Sequence, residues 1–429
     1  MSWKEPKIPV ADSGHFETFN GLWKGKKEPF VEAGVIRNTN FTPSGMIDYS
    51  NVAYLNVEEK QLAKRRLEAG DIILERSGGG PKQPVGRVVF FDREDGAFSF
   101  SNFTSAVRVK DRETFDPRFI FYGLMELYQS GRTEDLQRRT TGIRNLDFRS
   151  YKERACFPKI PLPEQKNIAH ILSTVQRAIE AQDRIIQTTT ELKKALMHKL
   201  FTEGLRNESQ KQTEIGPVPE SWEVVQLEST GEVVYGIQAS VANNLEPVGT
   251  RILTNKNITL DGGFNLEKIN YFELTKARHR ATVLQRGDIL FNWRSGSKYH
   301  VGKTAYFDLE GEWIHSSFIL RIRPNSEING RFLFYYFNHL REEEYFVKLQ
   351  TYAINAKFNK SAVNALPTIV PPREEQDDIA SALDAVQATI DGATKRLGAL
   401  QSLLRTLLHE LMTAKTRVNS LTLSGENHE

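Results

Sequence analysis

PLPEQKNIAHILSTVQRAI (161–179) and PREEQDDIASALDAVQATI (372–390) are two versions of one segment, set 211 residues apart. Extended without a gap over 161–202 and 372–413, they share 14 identities in 42 positions, far above chance. Gln165 maps to Gln376, Ile168 to Ile379, Ala169 to Ala380, Leu172 to Leu383, His198 to His409 and Thr202 to Thr413. A match of this length marks an internal repeat, and the repeat organises the rest of the chain.

Upstream the copies match more loosely. Asn38, Asn40 and Gly45 correspond to Asn255, Asn257 and Gly262, and Gly70-Asp71-Ile72 to Gly287-Asp288-Ile289, at a shift of 217. Val85-Gly86 matches Val301-Gly302 at 216, and Arg118-Phe119 matches Arg331-Phe332 at 213. A drifting shift means short insertions, which fall in surface loops. Ser2-Trp3 resembles Ser221-Trp222, so the chain reads as opening on a repeat. Each copy follows one order: short β-like runs (DIILER, GRVVFFD, GDILFNW, SSFILRIRP), a helix near FIFYGLMELYQS or FLFYYFNHLREEEYF, a Pro-rich step, then a long helix.

Pro163-Glu164-Gln165 suits a helix start, because proline is tolerated in the first turn and an acid complements the dipole. The second long helix keeps a heptad seam at Ile379, Leu383, Val386, Ile390, Ala393, Leu397, Leu400, Leu404, Leu407 and Leu411. The first follows at Ile168, Leu172, Val175, Ile179, Ile186, Leu196 and Leu200. Its seam breaks at Gln182, Thr189 and Lys193, so its middle is expected to pack loosely or through polar groups. Gly204 supplies a glycine stop. About 40 residues at 1.5 Å each make roughly 60 Å of helix. Either each helix sits in its own domain's core, or the two pair with each other. Matching seams favour pairing, antiparallel if a pseudo-two-fold relates the repeats, with the globular domains held apart. Gly392 and Gly398 then mark close approach or bending.

Composition sets broad limits. The 429 residues suffice for two or three domains, with 39% hydrophobic and 26% charged residues. No apolar run reaches about 18 residues, and MSWKEPKIPV lacks a signal core; a cytoplasmic location is expected. Cys156 is the single cysteine, which excludes an internal disulfide and a multi-cysteine zinc site. A net charge of +3 is too small to argue nucleic-acid binding by itself.

The order of these parts resembles the DNA-specificity subunit of Type I restriction-modification enzymes. The resemblance rests on P-x-P-E-Q-x-x-I-A at the first long helix, its relative at the second, IGPVPESWEVVQL (215–227), and the GDIL-type motifs at Gly70–Ile73 and Gly287–Leu290. Arg373 and Glu374 replace Leu162 and Pro163, which leaves the second helix start less defined. The resemblance implies an α+β chain of two globular α/β target-recognition domains separated by two long antiparallel coiled-coil helices. It divides the chain into a first recognition domain (1–158), a spacer helix (159–206), a second recognition domain (207–368), a second spacer helix (369–418) and a flexible tail (419–429). The chain itself is expected to be non-catalytic, reading an asymmetric, bipartite double-stranded DNA site. Two methylation subunits would dock on the helices and restriction subunits would join them. S-adenosylmethionine, Mg2+ and ATP would belong to those partners, whose complex would methylate adenine N6 and cleave DNA. A pseudo-two-fold reader on duplex DNA places its half-sites about one helical turn apart.

Such a reader needs cations for phosphates and Arg, Asn, Gln or Ser for base edges. The glycine-rich stretch 76–82 offers Arg76, Ser77 and Lys82, and its counterpart 292–300 offers Asn292, Arg294, Lys298 and His300. A second pair of stretches, 138–145 and 350–357, offers Arg139, Arg144 and Asn145, and Asn355 and Lys357. A solvated loop is the competing reading for each residue alone. Asn38, Asn40, Asn255 and Asn257 read as turn or capping residues. Asp71 and Asp288 read as closing a turn before a strand, since a feature common to both repeats serves structure rather than different specificities. Ile171, Ile185 and Leu403, off the helix seam, are candidate partner surface or core.

Two other classes of function fit the sequence less well. GSKYHVGKT (296–304) nearly spells a phosphate-binding loop, but has one residue too many and runs into β-like AYFDLEG. A self-sufficient adenine methyltransferase needs an Asn/Asp-Pro-Pro-aromatic motif, which Val370-Pro371-Pro372-Arg373 fails. The nine histidines show no metal-ligand spacing, and His198 and His409 read as packing or capping. No cofactor or metal is expected in this chain. A coiled-coil scaffold without a DNA role explains the helices but not two diverged, loop-rich domains.

Overall fold

The computed structural model describes residues 4–23, 25, 27–80, 83–140, 143–239, 244–295, 297–352 and 359–418. The tail expected at 419–429 lies outside them, as does Trp3. The chain forms two compact units: Met1–Arg184 with Ala393–Glu429, and Ile185–Gly392. Five helices organise the description: α1 (Pro117–Gln129), α2 (Phe148–Arg154), α3 (Leu162–Glu203), α4 (Gly330–Glu342) and α5 (Arg373–Met412). Helices α3 and α5 each contribute one part to each unit.

Two sheets repeat strand for strand. In the first unit a four-stranded antiparallel sheet orders Phe16–Asn20, Thr104–Val109, Ile72–Glu75 and Val88–Phe90. The second unit repeats that order with Gly231–Tyr235, Ile319–Pro324, Ile289–Asn292 and Thr304–Tyr306. Beside it lies a three-stranded sheet with one antiparallel and one parallel pair: Ala53–Glu58, Phe30–Ile36 and Phe98–Phe100 in one unit. Asn270–Phe272, Thr250–Leu253 and Trp313–His315 match it in the other.

Local chemistry explains why both copies fold alike. Gly70 and Gly287 sit at φ +102° and +98°, a region open mainly to glycine. The next residue closes the turn: Asp71 Oδ2 accepts from Glu68 N at 2.8 Å, and Asp288 Oδ2 from Gln285 N at 2.7 Å. Each carboxylate also takes a two-pronged guanidinium, Arg108 or Arg323. The turn expected before the strand is present, and the arginine on the neighbouring strand is an addition. Asn40 and Asn257 are turn residues as well, each bonding the backbone three residues before and eight and eleven residues after.

The glutamine that opens both long helices is a clamp. Gln165, fully buried, accepts from Asp116 N and donates to Thr114 O and Ile160 O. Gln376 accepts from Asn329 N and donates to Glu327 O and Pro371 O. It thereby ties each long helix to the cap of α1 or α4, where Asp116 and Asn329 accept the first free amides. The preceding glutamate is buried too. Glu164 receives both arms of Arg417 at 2.8 Å; Glu375 receives Leu205 N at 2.8 Å, the Trp222 indole at 3.2 Å and Arg206 at 3.5 Å. The start of one long helix thus meets the segment after the other in each unit.

The two helices pair with each other and run antiparallel. In the first unit Gln182 bonds Arg396 and Glu164 bonds Arg417; in the second, Lys193 bonds Gln387 at 2.6 Å and Leu205 bonds Glu375. One number falls as the other rises. Ile168, Leu172 and Ile179 share a core with Leu404, Leu408 and Leu411, and Met197, Leu200 and Phe201 share one with Ile379 and Leu383. The same cores take in α1 and α4, so the helices are both partners and domain core. At the breaks Gln182 and Lys193 the seam is polar, as expected, and burial lowers the Lys193 ammonium from its usual value.

His315, fully buried, gives the second unit a pH dependence. Its ring meets Ile319 O at 3.1 Å, and burial, reinforced by Arg321, pushes its pKa down to about 3. The unfolded chain binds a proton near 6.5 and the folded one resists it, so stability is lost as pH falls from about 6.5 toward 3. The slope is about 1.4 kcal/mol per pH unit, roughly 2 kcal/mol at pH 5. Urea unfolding at pH 7 and pH 5 should show this loss, and His315→Gln should flatten it; an equal loss in the variant would assign it elsewhere.

Candidate nucleic-acid interface

In the first unit the two predicted stretches, far apart in sequence, form one small sheet. Strand Ser77–Gly79 pairs with Ile143–Leu146, which pairs with Gln137–Thr140. Asn145 lies opposite Ser77, whose hydroxyl donates to Asn145 Oδ1 at 2.6 Å. Gly78 bends the first strand at φ +105°, where a Cβ would meet the Asn38 amide at 2.8 Å. Asn38 itself donates to Glu75 Oε1 and Ser77 O. Glycine is therefore required here for close packing of the loop.

This sheet forms one wall of an open depression of about 480 Å³ lined by Thr18, Asn20, Arg76, Arg138, Asn145 and Lys152, with Asp147 and Arg149 at its edge. Arg76 donates to Asn20 Oδ1 at 2.6 Å and to Ser105 Oγ at 3.2 Å, and stands 4.8 Å over the Phe148 ring. Burial lowers its guanidinium from the ordinary value. Helix α2, capped by Asp147, presents Arg149 and Lys152, and Arg138 reaches Asp147 at 2.5 Å. Four cations against one carboxylate, set around Asn and Ser side chains, suit a phosphate backbone with base edges between.

The second unit is built differently at the matching place. Residues 297–300 turn through a short 3-10 helix, Lys298–His300, and the segment equivalent to the outer strands includes a helix, Tyr345–Tyr352. Arg294, Tyr299 and His300 are exposed, and Arg294 stands 5.8 Å over the half-open Phe318 ring. Trp293 donates to Ser317 O at 2.8 Å and packs on Tyr235. Cations beside exposed rings suit stacking as well as phosphate contact.

The predicted residues divide as follows. Arg76, Ser77, Arg144 and Asn145 come together, with Arg144 donating to Gln137 Oε1 at 3.3 Å. Arg139 lies on the strand opposite Arg144. Arg294, Lys298 and His300 share one loop. Lys82, Asn355 and Lys357 lie outside the described residues. Asn292 is a correction: it is fully buried and its amide donates to His300 O at 2.7 Å, because the β-strand turns it inward to hold the loop. Sequence reasoning missed Thr18, Asn20, Arg149, Lys152 and Phe318. The run Arg144, Arg149, Lys152, Arg154 was a basic signal available for two of them.

The near phosphate-binding loop has a structural explanation. Lys303, 7% exposed, donates to Asn255 O and Ile258 O, and strand Thr304–Tyr306 follows at once. In the first unit Arg87 occupies the matching place, donating to Asn38 O and Phe41 O.

A family profile described as "Type I restriction modification DNA specificity domain" matches residues 11–190 and again 219–401. A protein of Methanocaldococcus jannaschii, provisionally described as the MjaX specificity subunit of a type I restriction enzyme, is 26% identical over 94% of this chain and 91% of its own length. The MjaVIII specificity subunit of the same organism is 29% identical over 71% of this chain and 72% of its own. The crystal structure of the S subunit of a Type I restriction-modification system from M. genitalium superposes with a TM-score of 0.60 at 16% identity, covering 95% of this chain and 96% of that one. At that identity the likeness concerns the fold. Among the described residues no helix is long and apolar enough to cross a membrane.

Proposed function

Because the chain belongs to the Type I restriction-modification DNA specificity family, carrying its domain twice, it is a specificity subunit, and we propose that each globular part reads one half of a split DNA site. The first reader uses the depression lined by Arg76 and Asn145 and the small sheet carrying Ser77, Arg139 and Arg144, with Lys82 from the same stretch; the second uses the Arg294–His300 loop with Asn355 and Lys357. One observation supports this above the others: two domains that share their four-stranded and mixed three-stranded sheets diverge in construction where these stretches lie. Unlike readers imply an asymmetric target. The paired helices act as the measure of the gap between half-sites and as the docking surface for two methylation subunits, with restriction subunits joining for cleavage. Exposed Ile185, Leu192 and Leu403 support that docking role.

The chemistry belongs to the partners, which would bring S-adenosylmethionine for adenine methylation and Mg2+ and ATP for cleavage. Co-expression with the methylation subunits and sequencing of the methylated genome tests the reading. A split, asymmetric motif is expected. Substitution of Asn145 and Ser77 together by alanine should relax one half of it and leave the other intact. Methylation by this chain alone, or a change in both halves, would contradict the assignment.

A further inference from the structure

Within the second unit three side chains with metal-ligating atoms converge where the end of α3 lies against α4. His198, His339 and Glu343 each place a donor atom within 4.8 Å of the other two. His198 Nδ1 stands 3.2 Å from Glu343 Oε1. His339 and Glu343 are four residues apart at the end of one helix, so they share a face; His198 reaches them from another helix.

His339 is the unusual member. It is 7% exposed, and among the described residues its ring makes no side-chain hydrogen bond. It is held by packing instead, stacked on Phe201 at 5.3 Å and edge-on to His198 at 5.9 Å. His198 and Glu343 are exposed, which opens the cluster to solvent and to an arriving ion.

We propose that His198, His339 and Glu343 form a binding site for one divalent transition-metal ion of the zinc class. Two imidazoles and a carboxylate with no thiolate suit Zn2+, with water as the fourth tetrahedral ligand. The ion joins His339 to His198 and pins the end of α3 to α4. The site is confined to one repeat. In the first unit His409 occupies the place of His198 and faces Glu126 at 3.4 Å. The repeat puts Glu126 where His339 stands and Ser130 where Glu343 stands, so there is no second imidazole. His198 and His339 are 141 residues apart, which hides the cluster from a search for ligand spacing.

The test uses the untagged full chain, stripped with chelator and titrated with Zn2+ by calorimetry and with Co2+ by visible absorption. One ion per chain, tetrahedral Co2+ bands and a melting temperature raised by a few degrees at saturation are expected. His198→Ala and Glu343→Gln should each weaken binding roughly tenfold or more. Being at exposed positions, they should leave the melting temperature of the metal-free chain unchanged, and His409→Ala should leave metal binding unchanged. His339→Gln is the harsher variant, and the two exposed ones carry the test without it. Absence of binding by the full chain at about millimolar Zn2+, or equal binding by His198→Ala and Glu343→Gln, overturns the proposal.

Discussion

A chain in which Arg138, Arg149 and Lys152 are all alanine is expected to bind duplex DNA about a hundredfold more weakly at 0.15 M salt, whatever the sequence. Each phosphate contact releases about 0.9 counterion, worth roughly 0.7 of a decade in affinity at that salt relative to 1 M. Three contacts therefore come to about two decades, and the slope of log affinity against log salt should fall by nearly three. The three residues are chosen because they line the depression from α2 and the strand beside it, Arg138 and Arg149 exposed and Lys152 half-buried, so their loss should disturb the fold little. Arg138 is the weakest of them, since its pairing with Asp147 at 2.5 Å already offsets part of its charge. Fluorescence anisotropy of the assembled complex on duplexes across a salt series measures both quantities. An unchanged slope would mean that this face does not meet phosphate. Alanine at Asn145 provides the contrast, because a base-reading amide should change sequence preference and leave the slope alone.

The largest loss of stability is expected from Asp71→Ala. The carboxylate is fully buried and holds Arg108 Nε at 2.8 Å, Arg108 Nη2 at 2.7 Å and Glu68 N at 2.8 Å. Burial pushes the Asp71 carboxyl above its usual range while the pairing holds Arg108 more firmly charged. The pair is thus an offset between desolvation and attraction, and its net value is small. Removing one side is different, because it strands the guanidinium and a turn amide. That costs about 3–5 kcal/mol for a buried pair, at the lower end here because Arg108 keeps Glu68 Oε1 at 2.8 Å. Denaturant titration should show the shift, and adding Arg108→Leu should restore part of it. If the single variant is as stable as the parent, the carboxylate is not what closes the turn. Asp288→Ala should follow the same course with a smaller loss, since Arg323 is 31% exposed and can turn to water.

Much of this was legible before any coordinates. The repeat, the two long helices, their seam and its polar breaks, the Gly-Asp turns and the role of Asn40 and Asn257 all depend on residues close in sequence or related by duplication. Such features leave a period, a motif or a repeated pair that one-dimensional reading can find. The candidate stretches of each repeat are read the same way, but not that the two in the first unit make a single sheet.

Contacts across long separations were not legible. Asn292 looked like a base reader because its type fits; only the strand's alternation in three dimensions shows it facing the core. The phosphate-loop reading of Lys303 already fails on spacing, but only its carbonyl partners at Asn255 and Ile258 show what the lysine does instead. The ring of cations on α2, the clamps made by Gln165 and Gln376, and the meeting of His198 with His339 belong to the same class. Sequence by itself determined which segments fold and that they do so twice, because helix period, turn conformation and repetition are properties of the chain. Tertiary structure alone decided which side chains meet and which stay exposed, because packing joins groups whose separation along the chain carries no trace of their distance in space.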